Sequence, residues 1–231
     1  MRRHPSEGGW ILVWNIPARI CHWGFSLSLL GALLLGFYTD PESHAFKVHM
    51  LCGILSCWFL AVRILLGFFG GRYLRWNGFF YGVRATMKYF ADALRWRKVD
   101  FVGLNPGSAA FAAAIYISAL ALVCTGFVLE LAESWHSWIA WASGFLIGAH
   151  LLGLALHALR HRAVTPLAMI HGKVRGGGSE GLPHNAWQVG VALAALSMGL
   201  SWVLFWYFDF ESATLSVPFI PDIGFPIMQK G

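Results

Sequence analysis

The sequence predicts an all-α integral membrane protein, built as a helical bundle. Of its 231 residues 57% are hydrophobic and only 12% are charged, whereas about a quarter of the residues of a soluble domain are charged. The mean hydropathy is +0.59. Five apolar stretches each run for about 20 residues, the length at which a helix crosses the hydrocarbon core of a bilayer. These three observations place most of the chain in lipid.

The five predicted spans are separated by polar or turn-forming segments. The third span contains no charged residue, and the only ionisable side chains of the fourth are histidines. The fifth offers no histidine, cysteine or charged residue. In chain order the spans cover approximately Ala18 to Tyr38, Val48 to Phe69, Ala109 to Leu129, Ser137 to Leu159 and Ala186 to Phe208.

The connection between the second and third spans, about 70–108, is too polar to cross a membrane. Its segment at 81–96 alternates aromatic and basic residues, which predicts an amphipathic helix lying at the membrane interface. The sequence GLNPG that follows it favours a turn back into the membrane. We therefore divide the chain into a four-helix core at 1–175, a glycine-rich linker at 176–185, a fifth membrane helix at 186–208 and an external tail at 209–231.

The basic residues predict how the chain is oriented. Given the five spans, 15 of the 17 Lys and Arg residues lie on the side of the membrane where the chain begins, and only Lys47 and Lys230 lie on the other. Cytoplasmic loops of membrane proteins carry an excess of Lys and Arg. We therefore expect a cytoplasmic N-terminus and a C-terminus outside the cytoplasmic membrane.

Composition also argues against several classes of function. The net charge of +6 does not indicate nucleic-acid binding, because the basic residues lie between hydrophobic spans instead of forming one basic face. The cysteines all lie in apolar spans, with no CxxC or CxxCH sequence. We expect no disulfide, no zinc knuckle and no covalently attached c-type haem.

His22, His49 and His150 lie within predicted spans, and His136 lies directly before the fourth span, on the same predicted helix. His136 and His150 are 14 residues apart on that helix, which puts them within about 40° of one helix face at depths about 21 Å apart. Helix direction then pairs each with a histidine of another span at the same depth. His22 pairs with His150 on the inner side, and His49 pairs with His136 on the outer side.

Two imidazoles from different helices at one depth are what a haem iron with two axial histidine ligands requires. A zinc site would need three or four converging ligands, and neither depth offers them. The sequence therefore predicts two stacked haems that carry electrons across most of the membrane. Two other interpretations stay open, namely histidines that only pack or form hydrogen bonds, and a transporter without haem that uses them as a proton or metal relay.

Two further side chains carry alternative assignments. His157 lies seven residues beyond His150 on nearly the same face and competes with it as the inner ligand. His150 is preferred, because His157 lies near the predicted end of the helix, beside a basic cluster that suits the lipid headgroups.

Arg63 lies 14 residues after His49, on the inner side. It is either a ligand for a haem propionate or a helix-end arginine that reaches the membrane surface.

Several motifs resemble those of the prokaryotic cytochrome b561 family, which includes the b-type subunits of nickel–iron hydrogenases and formate dehydrogenases. The resemblance covers about residues 10–175. It rests on PARICHW (Pro17 to Trp23), HMLCGILSCWFLAVRILLG (His49 to Gly67), GLNPG (Gly103 to Gly107), SWHSWIAWASGFLIGAH (Ser134 to His150) and PLAMIHGKVR (Pro166 to Arg175).

This resemblance implies two non-covalent b haems, held by His22, His49, His136 and His150 as axial ligands of the iron, and exchange of electrons with membrane quinone. It also implies a quinone site near the inner haem, where ordinary interface anchors are an equally good interpretation of the polar residues. The candidates for contact with quinone or a propionate are Asn15, Arg19, His171 and Lys173.

We therefore predict a di-haem electron-transfer subunit of a respiratory oxidoreductase in the bacterial inner membrane. The fifth span and the tail, which we expect to be extended, resemble the anchor for a periplasmic redox protein such as a c-type cytochrome, a hydrogenase or a dehydrogenase. A different hypothesis is an enzyme that by itself oxidises superoxide and reduces ubiquinone, as the resemblance to small family members suggests.

Overall fold

A computed structural model describes residues 9–99, 101–127, 129–161, 167–218 and 221–225. The helices of these residues are α1 (Ile16–Tyr38), α2 (His44–Phe69), α3 (Val83–Leu94), α4 (Pro106–Phe127), α5 (Leu129–His161), α6 (Ala168–His171) and α7 (Trp187–Tyr207). The strands are β1 (Trp10–Leu12), β2 (Lys173–Arg175), β3 (Phe208–Asp209), β4 (Thr214–Leu215) and β5 (Ile223–Gly224). Helices α1, α2, α4, α5 and α7 are long and apolar enough to cross a membrane. The predicted all-α membrane bundle is confirmed.

Two helical hairpins form the bundle. The side chain of Asn15 caps α1 by accepting a hydrogen bond from the backbone N–H of Ala18 at 3.3 Å, and Ser43 caps α2 in the same way. Helix α1 packs along α2, and α4 packs along α5. Backbone contacts between the two hairpins are sparse and run mainly between α2 and α4.

An apolar layer joins the hairpins at mid-depth. It contains Phe25, Leu29 and Leu33 of α1, Phe59 and Leu60 of α2, and Ile115 and Ala119 of α4. Gly24 allows the close approach of α2, because a Cβ atom at this position would lie 2.3 Å from the ring of Phe59. Burial between helices gains little hydrophobic energy in lipid, so complementary shape holds this layer together.

The chain after α5 returns to the start of α1. Strand β2 pairs antiparallel with β1, and the backbone N–H groups of Val13 and Trp14 both donate to the carbonyl of Gly172. The predicted glycine-rich linker packs beside this strand pair. Leu182 N–H donates to Leu12 O at 2.7 Å, and the hydroxyl of Tyr73 donates to Glu180 O at 2.7 Å.

The structure corrects the prediction of an extended tail. Strands β3, β4 and β5 form an antiparallel sheet that packs on Leu51 of α2 and Leu204 of α7. The buried Lys47 ammonium donates to the backbone carbonyls of Phe210 and Glu211. The strands are two residues long, too short to show alternation in the sequence, and their apolar partners lie on distant helices. Residues 219–220 and 226–231 of the tail lie outside the described residues.

The structure also shows the segments that connect the predicted spans. The predicted amphipathic helix is present as α3, which begins after Gly82 at a φ of 75°. Helix α5 begins at Leu129, well before the predicted start of the fourth span at Ser137, so the segment that contains Glu130 and Glu133 is helical. The side chains of these two glutamates lie outside the described residues.

Candidate functional site

The outer pair of histidines meets across the two hairpins. His49 lies in the second turn of α2 and His136 in the first half of α5, and their ring centroids are 6.2 Å apart with an interplanar angle of 74°. Both rings are only half-buried. The structure thus brings together the two residues that helix direction had paired at the outer depth.

Hydrogen bonds fix the tautomer of each ring in this pair. Nδ1 of His49 lies 2.7 Å from the carbonyl oxygen of Ala32, and a carbonyl can only accept, so Nδ1 carries the hydrogen. Nδ1 of His136 lies 2.9 Å from Oγ1 of Thr125. The Thr125 hydroxyl donates to Ala121 O at 2.8 Å and therefore accepts from His136. Each ring keeps Nε2 as the nitrogen whose lone pair can bind a metal.

Small and aromatic neighbours hold the His49 ring in place. A Cβ atom at Gly36 of α1 would lie 3.0 Å from Nδ1 of His49, so only glycine leaves the ring its full space. Phe46 stacks on the other side, with ring centroids 5.1 Å apart and an interplanar angle of 16°. These contacts leave the ring little freedom to rotate away from His136.

The inner pair joins α1 and α5 near the other end of the bundle. His22 interacts electrostatically with His150, and its ring meets Trp23 edge to face with centroids 5.5 Å apart. The ring of Phe111 lies 6.2 Å from that of His150. The electrostatic interaction between α1 and α5 supports the pairing of His22 with His150 at the inner depth, which stays a prediction.

His157 has other neighbours. Its Nδ1 lies 3.5 Å from the hydroxyl of Tyr89, and its ring stacks on His161 with centroids 4.1 Å apart. These contacts direct it toward α3 and the end of α5. This geometry favours His150 over His157 as the partner of His22.

The residues of the outer pair fit a bis-histidine haem. A metal–imidazole bond is about 2 Å long and the ring centre lies about 1 Å beyond the nitrogen, so two opposite ligands should have centroids about 6 Å apart. The observed 6.2 Å meets this requirement. Among the described residues, no three His, Cys, Asp or Glu side chains converge as a zinc site would require.

Arg63 is buried inside the protein, with only 8% of its surface exposed. Its Nη1 donates to Leu74 O at 3.1 Å. Its guanidinium lies 4.8 Å from the ring centroid of Trp76, 5.4 Å from that of Phe79 and 5.9 Å from that of Tyr116. An arginine whose charge reached the headgroups would be exposed at its tip, so this alternative does not describe Arg63. Its assignment to a haem propionate remains a prediction.

The four quinone candidates lie close together around the turn at Gly172. Nη1 of Arg19 donates to Ile170 O at 2.6 Å, and Nδ1 of His171 accepts from Lys173 N–H at 3.0 Å. Asn15 caps α1. Nε of Arg19 is buried without a partner in the described part of the chain. These contacts give each residue a structural role, and contact with quinone stays a prediction.

Sequence reasoning missed the groups that orient the outer pair. Thr125 and the carbonyl of Ala32 lie on helices other than those of the histidines they contact. The only signal for Thr125 was its hydroxyl, one of three in this span with those of Tyr116 and Ser118. Its partner depends on how α4 packs against α5, which the sequence does not specify.

Replacing Thr125 with valine should keep the shape of the site and remove the acceptor for His136 Nδ1–H. A histidine ligand that loses this acceptor donates less charge to its metal. We therefore expect the outer haem to stay bound and its reduction potential to rise, by up to about 60 mV, which equals one tenfold change for one electron. A redox titration followed by absorbance measures this, and Thr125→Ser, which restores the hydroxyl, should titrate like the wild type.

Comparison with known families agrees with this geometry. A family model described as prokaryotic cytochrome b561 matches residues 13–172, which is more than half of the chain. The match runs from the residues before α1 to the end of α6, includes all four paired histidines and stops before α7. No curated protein and no solved structure matches the chain.

Proposed function

This chain belongs to the prokaryotic cytochrome b561 family and is a b-type cytochrome of transmembrane electron transfer. We propose that it relays electrons between membrane quinone and a redox protein outside the cytoplasmic membrane. The observation that carries the proposal is the outer pair, His49 and His136, with centroids 6.2 Å apart and both Nε2 atoms left to bind iron. The second pair, His22 and His150, supports a second haem at the inner depth.

Haem b, when bound, would supply reversible one-electron chemistry. His49 and His136 would hold it at the outer depth, and His22 and His150 at the inner depth. An iron held by two histidines would have no coordination position left for oxygen or substrate. This arrangement suits an electron-transfer subunit rather than a self-sufficient enzyme.

The apolar layer between the two depths supports transfer along the bundle. Phe25, Leu29 and Phe59 belong to this layer and are each less than 9% exposed. An apolar layer of this kind would keep water and protons out of the space between the inner and outer pairs. Electrons would then cross between them without a coupled proton path at mid-depth.

We assign the quinone to the inner, basic end and the redox protein to the outer end. Asn15, Arg19, His171 and Lys173 are the candidates for contact with quinone. At the outer end the carboxylate of Asp209 is exposed, and hydrogen bonds from the Ser212 hydroxyl and from Glu211 N–H lower its pKa. It therefore stays ionised, and a partner with a basic face, such as a c-type cytochrome, would suit it.

A spectroscopic experiment tests the proposal. The purified full chain should give a b-type reduced-minus-oxidised spectrum with two haems per chain, and a quinol should reduce both. His22→Ala should lose the inner haem and the reduction by quinol, while dithionite still reduces the outer haem. Reduction by quinol that survives in His22→Ala would contradict the inner quinone site, and a chain that reacts with superoxide alone at full rate would favour the self-sufficient enzyme.

Reporter fusions test the orientation. A reporter that is active only outside the cytoplasm should be active when fused after Gly231 and inactive when fused in the linker at 176–178, because α7 lies between them. A cytoplasmic reporter should behave in the opposite way. Activity of the first reporter in the linker would reverse the inner and outer assignments used here.

A further inference from the structure

A polar cavity lies at the basic end of the bundle, in the connection between α2 and α3. Its volume is about 490 Å³, within the usual range of ligand pockets. The polar groups that line it are the side chains of Arg72, Tyr73, Arg75, Asn77 and Tyr81, and Leu104 closes it from the segment before α4. None of these residues contributes to the paired histidines.

The walls of this cavity are fixed. The hydroxyl of Tyr73 donates to Glu180 O at 2.7 Å, and the hydroxyl of Tyr81 donates to the carbonyl of Leu104. Arg75 is held through Nε, which donates to Gly70 O at 3.1 Å, while the Arg72 guanidinium lies 5.5 Å from the Tyr73 ring centroid. The phenols thus form walls, and the outer nitrogens of both guanidiniums remain available to a ligand.

Arg72 and Arg75 form no ion pair with a described carboxylate. Within the described segments, the ion pair found in this connection joins Arg97 to Asp92 at 3.6 Å, and no carboxylate pairs with Arg72 or Arg75. The nearby Glu180 directs its side-chain oxygen to Gly177 N–H at 2.9 Å. Two guanidiniums in a preformed pocket are suited to bind the oxygens of a phosphate group.

An exposed aromatic strip is formed by residues close in the chain to those that line the cavity. Phe68 and Phe69, at the end of α2, are 64% and 84% exposed, and Phe80 is 71% exposed. Trp76 connects them, since its ring lies 6.3 Å from that of Phe68 and stacks on Phe80 at 5.9 Å. Aromatic side chains at this level of a membrane protein contact the boundary between headgroups and acyl chains.

We propose that this cavity binds the phosphate group of an anionic phospholipid, with Arg72 and Arg75 on the phosphate oxygens and the aromatic strip along an acyl chain. Basic pockets on the cytoplasmic side of membrane proteins bind such headgroups. The site is independent of the histidine pairs. It would fix the connection that also carries Trp76 and Phe79, the rings against Arg63.

Native mass spectrometry of the full chain in a neutral detergent tests this proposal, with phosphatidylglycerol as the probe. We expect Arg72→Gln/Arg75→Gln to bind it at least about tenfold more weakly, because charge-assisted contacts to the phosphate are lost. The matched control, Arg95→Gln/Lys98→Gln, removes two charges from the same connection outside the cavity and should bind it like the wild type. Phosphatidylcholine should bind more weakly to the wild type, and excess inorganic phosphate should not displace phosphatidylglycerol.

Equal losses in the two double variants, or equal binding of both lipids, would overturn the site. Displacement by inorganic phosphate would assign the cavity to a free phosphate and overturn its assignment to a lipid. If the glutamine variant does not fold, Arg72→Lys/Arg75→Lys decides. It keeps both charges but loses the planar guanidinium, so we expect about threefold to tenfold weaker binding, and wild-type affinity would contradict the proposal.

Discussion

Replacing His136 with alanine should remove the outer haem and leave the inner one, so that the haem content falls from two per chain to one. The reason is that His49 and His136 are the described histidines that meet at the outer depth, with centroids 6.2 Å apart, and a single imidazole would not hold a haem that needs both. His150→Ala should do the reverse and remove the inner haem. Haem extraction and quantification per chain, together with the spectrum of the haem that remains, measure both results.

His157→Ala is the matched control for this prediction. It removes an imidazole from the same helix, seven residues from His150, but its contacts are with Tyr89 and His161. It should therefore retain two haems with an unchanged spectrum. If instead His157→Ala lost a haem and His150→Ala kept both, the inner ligand would be His157.

Much of the bundle could be predicted because its determinants are local. Helix length and apolar composition identify each span without knowledge of its neighbours. The depth of a histidine follows from its position along a span, so His136 and His150 could be paired with His49 and His22 before any contact was known. The electrostatic contact of His22 with His150 and the ring contact of His49 with His136 agree with that pairing.

What the sequence did not reveal depends on contacts between distant segments. Arg63 lies among three rings from residues 76, 79 and 116, and the spacing of these residues has no helical period that would connect them. Thr125 becomes a partner of His136 only when α4 packs on α5. The short strands of the tail pack against Leu51 of α2 and Leu204 of α7. Each of these contacts requires the tertiary fold.

The tail and α7 both pack on the rest of the bundle. The tail packs on α2 and α7 and accepts two hydrogen bonds from the Lys47 ammonium, so it stabilises the outer end of the bundle. Helix α7 packs on the first hairpin, through Leu193 against Cys21 and Val62 and through a 3.0 Å hydrogen bond from Trp58 to Ser197. Ending the chain at His184 removes both elements at once, and its effects cannot be attributed to the tail alone.

Ending the chain after Tyr207 removes the tail and keeps α7. Both haems should remain, because the paired histidines lie on α1, α2 and α5 and Lys47 can reach water once its acceptors are gone. Electron transfer from a quinol to a basic c-type cytochrome should slow at least about tenfold, since the surface that would bind the partner is lost. Stopped-flow reduction of the cytochrome, with haem content measured on the same samples, gives the result.

The variant Glu211→Gln/Asp222→Asn separates the charge of the tail from its fold. Both carboxylates are exposed, so the sheet should stay intact while attraction to a basic partner weakens. We expect a loss of transfer rate about threefold to tenfold at low salt that disappears at high salt, because screening already removes the attraction in the wild type. Transfer at the wild-type rate after truncation, or a rate that falls only in proportion to lost haem, would show that the tail stabilises the bundle without binding a partner.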